Sequence, residues 1–337
     1  MRRAWLGLGL VLALLYGHHV MTAEWAYEDQ RWIGASPQTW SAWTPRSLVS
    51  ASWLLTSTPQ HAHALSVVLH WGAIGLFGWL LRSVGLSTWA AIGGMSVLAV
   101  HPLTVEPVAY AAARTDLMAG IGILLAVCGA ARAWWRPAGM ALMLAGAAGA
   151  WASKETAVVL LALVPVTWWV QRHRRPAPAT AIGYALVAVW LSGLMVAMVV
   201  LAGRTPAQIV NIGELPGGFV TWPNWLAIQS TAAVRLLGAT VLPLPLTVDY
   251  DYDLVPMASR WLSVATLGAI GVIAIWQRQR RPLMTYGAAW TLIAILPRLI
   301  VQTPRGHLNE HQFYVPFMGC VIALTALWDE WRVRMAA

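Results

Sequence analysis

Long apolar stretches recur from one end of this 337-residue chain to the other. Each has the length, about 17–25 residues, that a helix needs to cross roughly 30 Å of hydrocarbon. That pattern predicts an all-α, polytopic integral membrane protein. Charge agrees: 10% of residues are charged and 58% hydrophobic, against roughly a quarter charged in a soluble globule. The 22 tryptophans suit the membrane interface, where an apolar ring with one N–H donor sits well. Cys128 and Cys320 both fall inside apolar runs, so they offer neither a disulfide framework nor metal-ligand spacing.

The apolar runs place spanning helices near 4–21, 62–82, 87–103, 115–133, 138–152, 156–171, 179–202, 261–276, 284–300 and 313–328. The first run resembles part of a signal peptide, with Arg2-Arg3 before it and Ala23 after it. Its length, to about Val20, favours a retained helix. With ten crossings, Arg2-Arg3, Arg82, Arg132 with Arg136, Arg172–Arg175, Arg278–Arg281 and Arg332 with Arg334 share one side. The positive-inside rule makes that side the cytoplasm and puts both termini there. In a membrane protein a pI near 10.2 reads as this loop bias rather than as nucleic-acid binding. A bacterial inner membrane fits, with the opposite side facing the periplasm or exterior.

The segment near 225–243 is apolar enough for an eleventh crossing, yet one there turns Arg278–Arg281 outward. A re-entrant or interfacial helix is therefore expected, covered by protein. Eleven of the thirteen acidic residues then face outward, leaving Asp329 and Glu330 inside. Acidic residues do little to set orientation, so this clustering points to chemistry on the outer face. The exterior loops 22–61 and 203–260 are long, as loops that carry function tend to be.

Five polar groups stand at the outer helix ends. In Tyr27-Glu28-Asp29 two adjacent carboxylates repel, which favours one of them as a base near neutral pH. An ordinary solvated acidic loop is the alternative. In the second group, His101 to Asp116, Pro102 ends one helix and Pro107 opens the next. Glu106 then lies at a positive helix end. If that helix continues, Tyr110 and Arg114 share a face while Arg114 and Asp116 point apart. Caps and ion pairs are the competing reading, but charges beside hydrocarbon are costly enough to favour function.

The third group is Ser153-Lys154-Glu155, with Ser153 placed to cap the following helix. Lys154 is the single lysine among 21 arginines, which suggests that an ammonium is wanted there. The fourth is Arg235 with Asp249-Tyr250-Asp251-Tyr252-Asp253, either a sugar-lining loop or a solvated one. The fifth is Arg298, Arg305, Glu310, His311 and Tyr314, where the arginines suit a phosphate or lipid headgroups. His63 and His70 lie seven apart, on one helix face. Catalytic zinc usually takes three protein ligands, so buried hydrogen-bonding histidines are expected instead.

Taken in order, these segments resemble the GT-C glycosyltransferases, specifically the membrane part of the TMTC-type protein O-mannosyltransferases and their bacterial relatives. The matching stretches are Tyr27-Glu28-Asp29 with Ile33, Arg46-Ser47-Leu48, Pro59 through His63 to His70, and His101-Pro102 through Glu106 to Arg114-Thr115-Asp116. Ser153-Lys154-Glu155, Arg235-Leu236-Leu237 to Asp249–Tyr252, and Glu310 with Tyr314-Val315-Pro316 complete them. The resemblance implies one transmembrane domain over 1–337 and inverting transfer of a sugar, often mannose, from a polyprenyl-phosphate carrier to an outer-face hydroxyl. Glu28 or Asp29 would be the base. Glu106, Arg114, Asp116, Glu155, Asp249, Asp251 and Glu310 would shape the substrate site, with Lys154, Arg235 and Arg305 toward phosphate. The lipid-linked sugar is a substrate, so no cofactor is implied, and a divalent metal stays open.

The chain departs from that pattern in three places. Glu28-Asp29 stands where the family shows Asp-Asp or Asp-Glu, and His311 where arginine is common. No soluble tetratricopeptide-repeat domain is expected here, since the sequence stops at Ala337. The acceptor thus stays open between protein, glycan and lipid. Two non-enzymatic readings compete: a flippase for a lipid-linked sugar, which needs polar residues at mid-membrane depth, and a catalytically dead scaffold.

Overall fold

The computed structural model describes residues 1–25, 29, 46–132, 137–171, 185, 188–189, 192–193, 221–243, 246, 255–301 and 308–336. Every regular element among them is helical: α1 (Arg2–Met21), α2 (Ser47–Leu54), α3 (Pro59–Val84), α4 (Thr88–Val100), α5 (Val105–Ala109), α6 (Arg114–Arg132), α7 (Pro137–Ser153), α8 (Leu160–Gln171), α9 (Trp222–Ala239), α10 (Met257–Gln277), α11 (Pro282–Ile300) and α12 (Tyr314–Ala336). Short 3₁₀ turns join several of them, at Pro102–Thr104, Ala111–Ala113, Glu155–Val159 and His311–Phe313. The chain is thus all-helical over the described residues, as the apolar runs predict.

The number of crossings differs from expectation. Six helices are long and apolar enough to span a membrane, or up to seven if the pair Thr88–Val100 and Pro102–Ala109, bent by 61°, is one span. Ten were expected. The shortfall has physical causes. His101 leaves helical geometry, and Pro102 follows it. Two further apolar helices, Ala138–Ser153 and Glu155–Gln171, are only 10–17 residues long. The expected span at 179–202 lies almost wholly outside the described residues. Helix α9 is not among the membrane candidates, in keeping with its omission from the crossings.

Small residues set the helix packing. A Cβ added to Gly129 would meet the Met143 amide nitrogen at 2.6 Å. Gly122 lies just as tightly against Ala150, and Gly146 against Ala126. Helices α6 and α7 therefore run antiparallel with backbones in contact, the arrangement that small residues permit between apolar helices. Gly287 and Gly319 bring α11 and α12 together in the same way. Hydrogen bonds add specificity: the Trp290 indole donates to the Val315 carbonyl at 2.9 Å. Trp5 and Trp71 stack at 4.2 Å between centroids and exchange indole-to-carbonyl hydrogen bonds at 3.0 Å, tying α1 to α3.

Two chemically different ends result. At one, Ser87 donates from backbone and side chain to Asp329, and Arg281 and Arg334 flank Glu330. Arg2 and Arg82 share a cavity there. At the other end, His19 of α1 meets His63 of α3. The start of α6 meets α2 and α3 there, and the end of α7 meets α6. Arg278–Arg281 and Arg332 with Arg334 thus gather with Arg2 and Arg82, while Glu106, Asp116, Glu155 and Glu310 lie opposite.

Candidate functional site

The antiparallel register of α6 on α7, continued past Gly122 and Ala150, carries Asp116 to the end of α7. There Lys154 donates to both oxygens of Asp116 at 2.7 Å. Thr115 donates to the same carboxylate at 3.3 Å. All three are buried. Burial pushes the Lys154 ammonium below the ordinary lysine range; the Asp116 carboxylate opposes that shift and the Arg298 guanidinium adds to it. Lys154 itself holds the N-cap position of the next turn. Ser153 does not cap it, contrary to expectation: its hydroxyl donates back to the Gly149 carbonyl at 2.7 Å, as serines in helices often do.

Asp29 is fully buried and its Oδ1 accepts the backbone N–H of Ala112 at 2.9 Å. That amide belongs to the 3₁₀ turn just before α6, where free N–H groups and the helix dipole favour an anion. Arg114, the first residue of α6, is also fully buried. It donates to the Ser52 hydroxyl at 3.0 Å and to the Ala62 carbonyl at 3.1 Å. Its guanidinium lies 4.5 Å over the Trp53 ring, a cation–π contact, and within electrostatic reach of Asp29. Arg114 thereby ties α2 and α3 to the start of α6.

Glu106 lies in the first turn of α5, as the sequence predicts. The helix does not continue, however. Tyr110 is extended, and a fresh turn leads into α6, so Tyr110 and Arg114 share no helix face. Glu106 instead accepts the His311 backbone N–H at 2.7 Å and lies 2.8 Å from its Nδ1. Glu310, beside it, is buried. Glu155 is exposed and pairs with Arg46 at 3.1 Å. Arg46 itself has a left-handed backbone, φ 83°.

Asp29, Arg114, Asp116, Lys154 and Glu155 therefore come together around the start of α6, with Glu106 and Glu310 at the same end of the bundle. Arg235 lies on α9 and is exposed. Its place on an amphipathic helix, with Ile228, Ala232, Leu236 and Ala239 buried, turns it outward. Glu28, Asp249, Asp251 and Arg305 lie outside the described residues.

Several residues were not among the expected site positions. His311 holds Glu106, and Arg46 holds Glu155; both stood in segments that carry the family resemblance. His19 was missed altogether. Its Nε2 donates to the Ala109 carbonyl at 3.1 Å and faces His63 Nδ1 at 3.1 Å. Its signal was a histidine pair, His18-His19, at the end of an apolar run. His63 and His70 are buried and hydrogen-bonded, as expected, with His70 Nδ1 2.8 Å from the Tyr314 hydroxyl. Among the described residues no group of three or more His, Cys, Asp or Glu is placed to hold a metal ion. Neither cysteine is in a disulfide, and both are buried.

The arrangement offers two buried carboxylates, Asp29 within electrostatic reach of Arg114 and Asp116 held by Lys154. No protein-family model matches the chain, and neither a curated protein nor a solved structure is similar to it.

Proposed function

We propose that the chain is an inverting glycosyltransferase of the GT-C type. It moves a sugar, mannose in the first instance, from a polyprenyl-phosphate carrier to a hydroxyl on the outer face of the membrane. The observation that carries this reading is the buried Lys154–Asp116 pair beside the buried Asp29 carboxylate. Keeping such charges at the end of an apolar bundle is costly unless they act on something.

In this mechanism Asp29 or its neighbour Glu28 takes the proton from the acceptor hydroxyl. The acceptor oxygen attacks the anomeric carbon from the face opposite the phosphate. One C–O bond forms as the bond to the phosphate oxygen breaks, and configuration inverts. Polyprenyl phosphate leaves with the electron pair. Two of the three N–H bonds of Lys154 are directed at Asp116; the third is available to the departing phosphate, with Arg298 adding positive charge nearby. Stabilisation of this kind is worth about 3–4 kcal/mol per donor in comparable sites.

The membrane arrangement in this proposal has ten crossings. The six long helices, the bent pair and the two shorter apolar helices supply nine of them, and 179–202 the tenth. Both termini and the arginine-rich end lie in the cytoplasm.

The test is transfer by the purified chain from radiolabelled polyprenyl-phosphate mannose to a serine- and threonine-bearing peptide, a glycan or a lipid. Inverted product with any one acceptor supports the reading and names the acceptor. The double variant Glu28→Gln/Asp29→Asn should lose transfer while remaining folded in the membrane. Undiminished transfer by that variant rules out the base. Absence of transfer to every acceptor, with the carrier instead crossing the bilayer, establishes a flippase.

A further inference from the structure

At the end away from the site, an open cavity of about 550 Å³ lies between α1, α3 and α4. Trp5, Gly72, Gly75, Leu76, Trp79 and Met95 form its apolar wall, and Arg2 and Arg82 stand on it. Its lining on α3 runs from Gly72 to Arg82, ten residues, or about 15 Å of helix. That is half of a hydrocarbon core roughly 30 Å thick. The groove therefore reaches from one interface to about the midplane, the depth of a single leaflet. The Trp5–Trp71 stack stands near its inner end.

The charges are equally directional. Arg2 and Arg82 are exposed, and among the described residues neither pairs with a carboxylate. The acids at this end are engaged elsewhere, Asp329 with Ser87 and Arg332 and Glu330 with Arg281 and Arg334. Two unneutralised guanidiniums over an apolar slot suit one phosphate attached to one acyl chain, since arginine pairs well with phosphate oxygens. Basic pockets between spanning helices hold anionic headgroups in this way.

The geometry points to a binding site for an anionic phospholipid of the surrounding leaflet. Its phosphate sits between Arg2 and Arg82, and one acyl chain lies over Gly72, where a Cβ would meet nothing within 4 Å. This site is separate from the proposed donor site at the other end of the bundle and does not depend on it.

Native mass spectrometry of the full chain in detergent, titrated with dioleoylphosphatidylglycerol, dioleoylphosphatidylcholine or a polyprenyl phosphate, tests the assignment. The phosphatidylglycerol should bind at least about tenfold more tightly than the phosphatidylcholine. The Arg2→Gln/Arg82→Gln variant should lose about twenty-five-fold in phosphatidylglycerol affinity, because each basic residue near an anionic headgroup contributes about fivefold. A second variant fills the slot without touching charge. A Cβ at Gly72 meets nothing within 4 Å, so the side chain of Gly72→Leu starts in open space and extends along the acyl path. It too should weaken phosphatidylglycerol about tenfold. Equal binding of the two phospholipids overturns the assignment, as does wild-type affinity in Gly72→Leu. A polyprenyl phosphate that displaces phosphatidylglycerol, and is itself lost in Gly72→Leu, also overturns it and makes the slot a carrier site.

Discussion

Lys154 and Asp116 form a mutually dependent pair, and their removal should show it. Lys154→Met leaves the Asp116 carboxylate buried without its cation, a change that costs about 3–5 kcal/mol in buried pairs. Lys154→Met with Asp116→Leu removes both charges and should recover most of that stability, because paired apolar replacements are often neutral. Thermal unfolding in detergent would read both, and sugar transfer should be lost in both. Recovered stability without recovered transfer separates a chemical role from a packing one. Arg114 predicts differently. Its donors go to Ser52 and Ala62, so Arg114→Lys should lower stability by a few kcal/mol and loosen α2, which proteolysis after Trp53 would report. What was legible at this scale was that Glu106, Asp116, Glu155 and Glu310 share one end of the bundle, more than whom they meet. Asp116 and Lys154 stand 38 positions apart, and no spacing rule on one helix joins them. Ser153 showed the converse: a capping residue in the right place was drawn back into its own helix.

Helix α6 holds the site in register through glycines, and those glycines are not equivalent. Gly122 abuts the Ala150 backbone, whereas a Cβ on Gly149 would meet nothing within 4 Å. Gly122→Ala should therefore force α7 away from α6, spread the Lys154–Asp116 contact and lower both stability and transfer. Gly149→Ala should be neutral or stabilising by up to about 1 kcal/mol, since alanine is the better helix former. Equal effects of the two substitutions would show that close approach of α6 and α7 is not what positions Lys154. Element boundaries were the most legible part of the fold. The expected spans 115–133, 138–152 and 284–300 fall within two residues of Arg114–Arg132, Pro137–Ser153 and Pro282–Ile300, because apolar run length has a direct physical meaning. The eight-residue α2 escaped notice, being too short to carry a periodic signal. The break at His101 was legible too, because Pro102 cannot continue the preceding helix.

The division of charge between the two ends of the bundle makes an orientation test direct. Both native cysteines are buried and give little labelling background. Ser57→Cys, exposed near the site end, should react with an impermeant maleimide added outside intact cells. Gln279→Cys, exposed among Arg278, Arg280 and Arg281, should react only after the membrane is opened. The reverse pattern would invert the proposed orientation. At this scale the sequence already grouped Arg2, Arg82, Arg278–Arg281, Arg332 and Arg334 against Glu106, Asp116, Glu155 and Glu310, and the helix contacts keep these two groups at opposite ends. Arg235 was less legible: its segment matched the family pattern in order, but only the packing of α9 reveals that the side chain is exposed.

Arg46 combines an unfavourable backbone with an ion pair. A left-handed residue other than glycine costs about 1–2 kcal/mol, and here it is tethered to Glu155, next to Lys154. Relief of that torsion and rupture of that tether pull in opposite senses, so Arg46→Gly should ease the turn while unmooring α2 from the end of α7. A substrate that competes for the Glu155 carboxylate would do the same without mutation. Helix α2 would then loosen as the site fills, and the conformational energy held at one residue would become part of how a ligand gains entry.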